Sequence, residues 1–151
     1  MTDDVDEAIA TVEQQFGVLL ETVRASLRDH AERLHPQLPP VGYKVTGLLV
    51  RQGPLHAGQV SERLGTDKSL VSRTVKQLEE LGLLRREPDP ADRRASFLAA
   101  TPEAVRRFDE ISAADQRVLH ERLRDWDHQD MTELGRLLAK FNQTFADAGL
   151  E

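Results

Sequence analysis

Apolar residues recur at intervals of three and four positions along most of this chain, a period that predicts a mainly α-helical protein. The first stripe covers about residues 4–34 and ends at the prolines of the segment PQLPP. A second helix is predicted at about 41–52, before Gly53 and Pro54 interrupt the pattern. Each of these helices has one apolar side, which we expect to be buried against another helix of this chain or of a second copy.

The last third of the chain has the same character. Thr101 followed by Pro102 is a typical helix start, and apolar positions continue from there to about Trp126. Asp127 can cap a last helix, whose apolar positions are Met131, Leu134, Leu137, Leu138, Phe141 and Phe145. The long helices at both ends carry more apolar surface than the short middle segment can cover, so we expect them to pack against a second copy of the chain. A monomeric bundle is the alternative.

The middle segment contains two shorter helices in close succession. The first, at about 57–64, has Val60 and Leu64 on its apolar side and ends at Gly65. Either Thr66 or Asp67 can cap the second, because both side chains accept a hydrogen bond from a free backbone N–H. This second helix is predicted at about 67–81, and its core positions are Val71, Val75, Leu78 and Leu81.

A hairpin is predicted directly after Gly82, which ends the second helix. Its strands are expected at about 83–87 and 95–99, on either side of the turn-rich sequence PDPADRR. Helix, turn, helix and hairpin in this order predict a winged helix-turn-helix. The second helix of such a unit fits the major groove of DNA, and the hairpin, or wing, can touch the backbone or the minor groove.

The chemistry of the predicted recognition helix supports this interpretation. The side opposite the apolar stripe carries cations and hydroxyls, at Lys68, Ser69, Ser72, Arg73 and Lys76. Cations neutralise phosphates, arginine can bind guanine through two hydrogen bonds, and hydroxyls can donate or accept at base edges. At the wing tip, Arg93 and Arg94 can enter a minor groove, where the negative potential is concentrated. The neighbouring Asp92 can hold a guanidinium in a fixed direction.

Charge is distributed unevenly, although the formal net charge of -6 is unusual for a nucleic-acid binder. The segment 67–94 has seven basic and six acidic residues, a net charge of +1, which leaves -7 for the remainder. Binding uses one face of a surface, so the orientation of each charge matters more than the total.

Other functional classes find little support in the sequence. The chain has no cysteine, no apolar run of membrane-spanning length and an acidic N-terminus, so we expect a cytoplasmic protein without a membrane partner. No phosphate-binding loop, nucleophile motif or HExxH is present, and we expect no enzyme activity. The five histidines lack a spacing suited to a metal site, and we expect neither a metal nor another cofactor.

The sequence SLVSRTVKQLEELGLLRREPDPADRR, closed by TPEA, resembles the MarR-type transcriptional regulators. The resemblance runs from about Val41 to Ala104, with compatible helices on both sides. It implies a single MarR-like domain over 1–151, with a winged helix-turn-helix lobe at 41–101, a wing at about 83–100 and dimerisation helices at 1–35 and 102–151. It also implies that Arg94 enters the minor groove with support from Asp92, and that Asp67 pairs with Arg86.

The function that follows is a homodimeric, sequence-specific regulator of transcription, most often a repressor in this family, that responds to a small-molecule effector. In similar proteins the effector pocket lies between the dimerisation helices and the lobe, here near residues 20–45 and 105–120. Twofold symmetry predicts a near-palindromic operator on double-stranded DNA with half-site centres about 10 bp apart. Two alternatives remain: a winged-helix protein-interaction module that has lost DNA binding, favoured by the acidic net charge, and a small enzyme that uses histidine and carboxylates.

Overall fold

The computed structural model describes residues 2–92 and 94–147, and in these residues it contains six α-helices and one two-stranded antiparallel sheet. The mainly α fold with a small β wing is therefore confirmed. Two compact units are present, Met1–Ser112 and Ala113–Glu151, and helix α5 runs from the first into the second.

Helices α1 and α2 agree with the sequence prediction to within two residues. Helix α1 spans Thr2–Leu34 and α2 spans Pro40–Gln52. Proline at the first position of α2 needs no hydrogen bond there, and Gly53, with a φ of 81°, ends the helix in a conformation that side chains disfavour. The Arg107 Nη1 of α5 donates to the backbone O of Leu34 at 3.0 Å and thus binds the end of α1.

The helix-turn-helix consists of α3 at Ala57–Leu64 and α4 at Lys68–Glu80. Gly65 lies between them in the left-handed region at φ 57°, which permits the tight turn. Of the two candidate caps, Asp67 is the one that caps α4.

The wing begins one residue later than predicted. Strand β1 is Leu84–Pro88 and β2 is Ser96–Ala100, with Arg86 opposite Leu98. Leu55, before α3, forms a short bridge with Leu98 and so joins the hairpin to the helix-turn-helix. Leu83 lies outside the strand because its backbone N–H donates to the backbone O of Leu78, at the end of α4. The Leu83 side chain is buried.

One hydrophobic core connects the elements of the first unit. The predicted apolar positions on α2, α3 and α4 are confirmed in this core: Val45, Leu48, Leu49, Val60, Val71, Val75 and Leu78. Leu64 and Leu81 are partly buried at its edge rather than inside it. Phe108 and Ile111 of α5 complete the core.

Helix α5 spans Pro102–Leu123 and α6 spans His128–Asp147. Thr101 caps α5 as expected, since its Oγ1 accepts the backbone N–H of Ala104 at 3.2 Å. The prediction that α5 continues to Trp126 is wrong, because residues 124–126 form a turn closed by a bond from the Trp126 N–H to Leu123. Asp127 then caps α6 through the N–H of Gln129 at 2.7 Å.

No helix in the described part of the chain is both long and apolar enough to cross a membrane.

Candidate nucleic-acid interface

The polar side of α4 is presented to solvent as a continuous face. Lys68, Ser69, Ser72, Arg73 and Lys76 are all exposed. On the opposite side Val71, Val75 and Leu78 are at most 1% exposed. The hydrophobic core therefore fixes the rotation of α4 about its axis and leaves this face, the recognition face, available for a partner.

Among the described residues, neither Lys68 nor Arg73 of the recognition face forms an ion pair, although the charge of Arg73 contributes to lowering the pKa of Asp67. The Nζ of Lys76 is 4.0 Å from Oε1 of Glu80, and both side chains are more than 60% exposed, so this pair is weak. Arg73 and Lys76 can therefore bind phosphates or base edges without breaking a strong ion pair.

Asp67 fixes the start of the recognition face. Its Oδ1 accepts the backbone N–H groups of Ser69 at 2.8 Å and Leu70 at 3.3 Å, and it also accepts the Ser69 hydroxyl. The hydroxyl bond, followed by the two backbone bonds, lowers the pKa of the Asp67 carboxyl below its usual value. The ionised form is thus favoured by folding, and its stabilising effect is lost as the pH falls through the carboxyl range.

The expected ion pair between Asp67 and Arg86 is wrong. Arg86 Nε donates to Glu79 Oε1 at 2.9 Å, and its Nη1 donates to the Ser96 hydroxyl at 3.3 Å. Glu79 lies twelve residues after Asp67, or about 18 Å further along the helix, and β1 runs beside this later turn. Arg86 still connects the wing to the recognition helix, but at the opposite end of the helix.

The wing tip contains the residues that were expected to reach the minor groove. Arg94 is exposed and has no ion pair within residues 2–92 and 94–147, whereas Arg93 lies outside the described residues. Asp92 Oδ1 accepts the backbone N–H of Arg94 at 2.9 Å. The carboxylate was expected to hold the guanidinium. In the structure it shapes the turn through the backbone instead, because the short Asp side chain reaches the N–H two residues on.

Two side chains that the sequence analysis did not select also position the interface. Gln77 of α4 donates from Nε2 to the backbone O of Gln37 at 2.8 Å, which binds the recognition helix to the loop between α1 and α2. His56 contacts Asp89 and Ser96 at the base of the wing. Neither contact has a local sequence signal, since the partners are 33 to 40 residues apart. Gln59, three residues after His56, is the one feature that indicates a helix start there.

A cleft of about 390 Å³ lies beside the start of α4. Arg24, Arg28 and Lys44 surround a lining that includes Leu27, Val41 and Leu70, and we call this region the basic cleft. None of the three cations has an acidic partner among the described residues, whereas Arg106, Arg107 and Arg136 all do. Most of the residues that line the basic cleft belong to segment 20–45, the first of the two segments predicted for an effector pocket. The others, Thr66 and Leu70, lie just before α4 and in its first turn, and none of the described lining comes from residues 105–120.

Metal binding has no counterpart in the part of the chain that the structure describes, where no group of three or more His, Asp or Glu side chains is arranged to hold an ion.

Comparison with known proteins agrees with this geometry. The model of the MarR family matches residues 47–95, the segment that contains α3, α4 and β1 and ends just before β2. The uncharacterized HTH-type transcriptional regulator YxaD of Bacillus subtilis (strain 168) is 30% identical over 128 residues, covering 82% of this chain and 87% of its own. The HTH-type transcriptional repressor MdtR of the same organism is 22% identical over 138 residues, covering 91% and 88%.

A solved structure described as the MarR family transcription regulator SP03579 superimposes with a TM-score of 0.79 at 21% identity, covering 100% of this chain and 98% of its own. The relatives found by these comparisons are regulators of transcription and not enzymes. The chain therefore belongs to the MarR family of winged helix-turn-helix transcriptional regulators.

Proposed function

We propose that this protein is a homodimeric repressor that binds a near-palindromic DNA operator and responds to a small-molecule effector. The observation that carries the DNA-binding part is the recognition face, a row of exposed cations and hydroxyls on a helix whose other side is locked into the core. The repressor assignment is supported by the similarity to MdtR, a transcriptional repressor. Arg73 and the serines would read base edges, while Lys68 and Lys76 would neutralise phosphates.

Dimerisation is supported by large apolar side chains that remain about half exposed in the described part of the single chain. On α1, Val5, Ile9 and Leu19 are 51–58% exposed. On α6, Leu137 and Leu138 are 46% and 45% exposed. Contiguous apolar stripes of this kind mark interaction surfaces, and two identical copies can cover each other's stripes about a twofold axis. Such an axis would present two recognition faces to DNA, with half-site centres about 10 bp apart.

The proposal is tested by selecting DNA from fragmented genomic DNA with the purified protein and measuring the affinity of the selected sequence at several salt concentrations. A regulator is expected to enrich a near-palindromic sequence, and its affinity should fall steeply with salt because phosphate contacts release counterions. If no sequence is enriched and binding to DNA is negligible at low salt, the protein-interaction module becomes the better explanation.

Arg94→Ala is expected to weaken DNA binding by about 5- to 30-fold while the selected sequence stays the same. An arginine in the minor groove contributes mainly through charge, so its removal should also reduce the slope of log affinity against log salt by about one unit. Fluorescence anisotropy on the selected duplex and on a scrambled duplex measures both effects. An unchanged affinity would show that the wing tip does not touch DNA.

The effector part of the proposal is supported by the basic cleft. Its three cations have no acidic partner among the described residues and lie around an apolar surface. A small organic anion with a hydrophobic body suits such a cleft, because the cations match its charge and the apolar lining matches its body. Leu70 belongs to the first turn of α4, so a ligand that contacts it would favour some orientations of the recognition helix over others.

Arg28→Gln is expected to weaken binding of 2-naphthoate to the protein by about tenfold, the usual effect of removing a charge-assisted hydrogen bond. Calorimetric titration measures this affinity, and 2-naphthalenemethanol serves as a neutral probe of similar shape. Arg136→Gln, in α6, is the matched control and should bind 2-naphthoate like the unaltered protein. Equal binding of the charged and neutral probes would contradict the assignment of an anion site.

A further inference from the structure

His56, the residue before α3, joins the helix-turn-helix to the base of the wing. Its Nε2 is 3.1 Å from Oδ2 of Asp89, the residue after β1. Its Nδ1 is 3.2 Å from the backbone O of Ser96, the first residue of β2. The ring also lies 4.2 Å from the ring of Phe97, measured between centroids. A single imidazole therefore contacts both sides of the hairpin where the wing leaves the sheet.

Both polar partners of this imidazole in the wing are hydrogen-bond acceptors. A backbone carbonyl and a carboxylate accept protons and have none to donate. The ring can bond to both at once only when each nitrogen carries a proton, which is the imidazolium form. The neutral ring has a single proton and must leave one of the two contacts without a hydrogen bond.

The neutral ring has another partner available on α3. The His56 ring lies in a capping-box position near the backbone N–H of Gln59 without forming a side-chain cap bond, while the Gln59 Oε1 accepts the backbone N–H of His56 at 2.9 Å. A neutral ring that keeps its proton on Nε2 can still donate to Asp89. Its bare Nδ1 can then accept the backbone N–H of Gln59 and so cap α3, but it can no longer donate to the Ser96 carbonyl. Protonation exchanges a bond within the helix for a bond to the wing.

We propose that His56 is a positioning residue for the wing, and that its imidazolium form holds the wing tip in the orientation needed for DNA contact. Asp89 is central to this because its Oδ1 accepts the N–H of Ala91 at 2.8 Å, at the start of the turn that leads to Arg94. Loss of the Ser96 bond frees one side of that turn. The wing is therefore less ordered when the ring carries a single proton than when it carries two.

The charged groups around His56 are few among the described residues. Asp89 is the acidic partner, with its side chain 12% exposed, while His56 is 34% exposed. Arg86 reaches the same residue, Ser96, through its hydroxyl and is itself paired with Glu79. Asp89 therefore dominates the charge that the imidazole faces from the wing.

The decisive measurement is amide hydrogen exchange of the full-length protein by NMR, expressed as protection factors for Ala91, Arg94 and Ala95. Between pH 5.5 and pH 8.5 these factors are expected to fall several-fold, while those of α4 stay constant. His56→Gln should give low protection that does not change with pH. His128→Gln, at the exposed start of α6, is the control and should keep the original pH profile.

Asp89→Asn separates this role from simple packing. The Asn Oδ1 can still accept from Ala91, while its Nδ2 can donate to the Nε2 of a neutral ring whose Nδ1–H is directed at Ser96. The wing of this variant should therefore be better protected at pH 8.5 than at pH 5.5, the reverse of the unaltered protein. If wing protection in the unaltered protein is independent of pH, or if Asp89→Asn behaves like His56→Gln, the inference is wrong.

The same variants extend the test to DNA, and this arm alone rests on the proposed function. The affinity of the unaltered protein for the selected duplex should fall several-fold more between pH 5.5 and 8.5 than that of His56→Gln. An absence of DNA binding would contradict the proposed function, while the exchange measurement would still decide the role of His56. Matching pH profiles for the two proteins would overturn the positioning role.

Discussion

The double variant Leu137→Asp/Leu138→Asp is expected to sediment as a single chain of 17.0 kDa and to bind the selected operator at least about 100-fold more weakly than the unaltered protein. Two aspartates in an apolar interface cost far more than the contacts they replace, because each buried carboxylate loses its hydration. A monomer engages one half-site at a time and forgoes the gain in affinity that comes from binding two linked sites. Sedimentation velocity and anisotropy on the two-half-site duplex measure the two effects.

Gln143→Asp is the control for this variant. It adds one negative charge, half of the charge that the double variant adds, to α6 on the side away from the leucines, and it should leave both assembly and affinity unchanged. Because the core of the lobe is formed by residues of the first unit, the double variant should retain the cooperative melting of the lobe. A double variant that still sediments as a dimer would show that α6 is not part of the interface.

Arg73→Ala is expected to reduce affinity for the selected operator by about 10- to 100-fold while affinity for a scrambled duplex changes by less than about threefold. The guanidinium forms no ion pair among the described residues and is exposed in the middle of the recognition face, where we expect it to make a bidentate contact to guanine. Since the side chain is exposed, its removal should leave the melting temperature unchanged.

The matched control is Arg136→Ala, which removes an exposed arginine from α6. Glu79 is unsuitable as a control despite its position on the same helix, because its carboxylate holds Arg86 and thereby the wing. Equal losses on the operator and on the scrambled duplex would assign Arg73 to phosphate contact instead of base recognition.

The sequence predicted the helices well because their apolar periodicity is a local property. The positions of Val71, Val75 and Leu78 define the buried side of α4 without reference to any other element, and the exposed side follows from them. The turn at Gly65 and the caps at Asp67 and Thr101 also depend on neighbours in sequence. Features of this kind can therefore be predicted from the amino-acid order alone.

The contacts that were missed or predicted wrongly join residues whose proximity depends on the folded wing. Arg86 selects Glu79 over Asp67 because of where β1 crosses α4, and His56 meets Asp89 across 33 residues of chain. The apolar stripe continues to Trp126 and therefore predicts a longer α5. In the structure the helix ends at Leu123, and the next three residues form a turn instead. Periodicity describes which side of a helix is buried, but not which distant side chain meets it.

The bond between Gln77 and the backbone O of Gln37 links the recognition helix to the loop that follows α1. With 33 residues, α1 is about 50 Å long, so a pivot of about 5° at its Leu34 end corresponds to a displacement of about 4 Å at its far end. Under the proposed function, substitutions near Val5 or Ile9 are therefore expected to alter the operator spacing that the dimer prefers, although neither residue belongs to the recognition face. We therefore expect that a change of operator spacing can be selected at the distant end of α1 without any change in the recognition face.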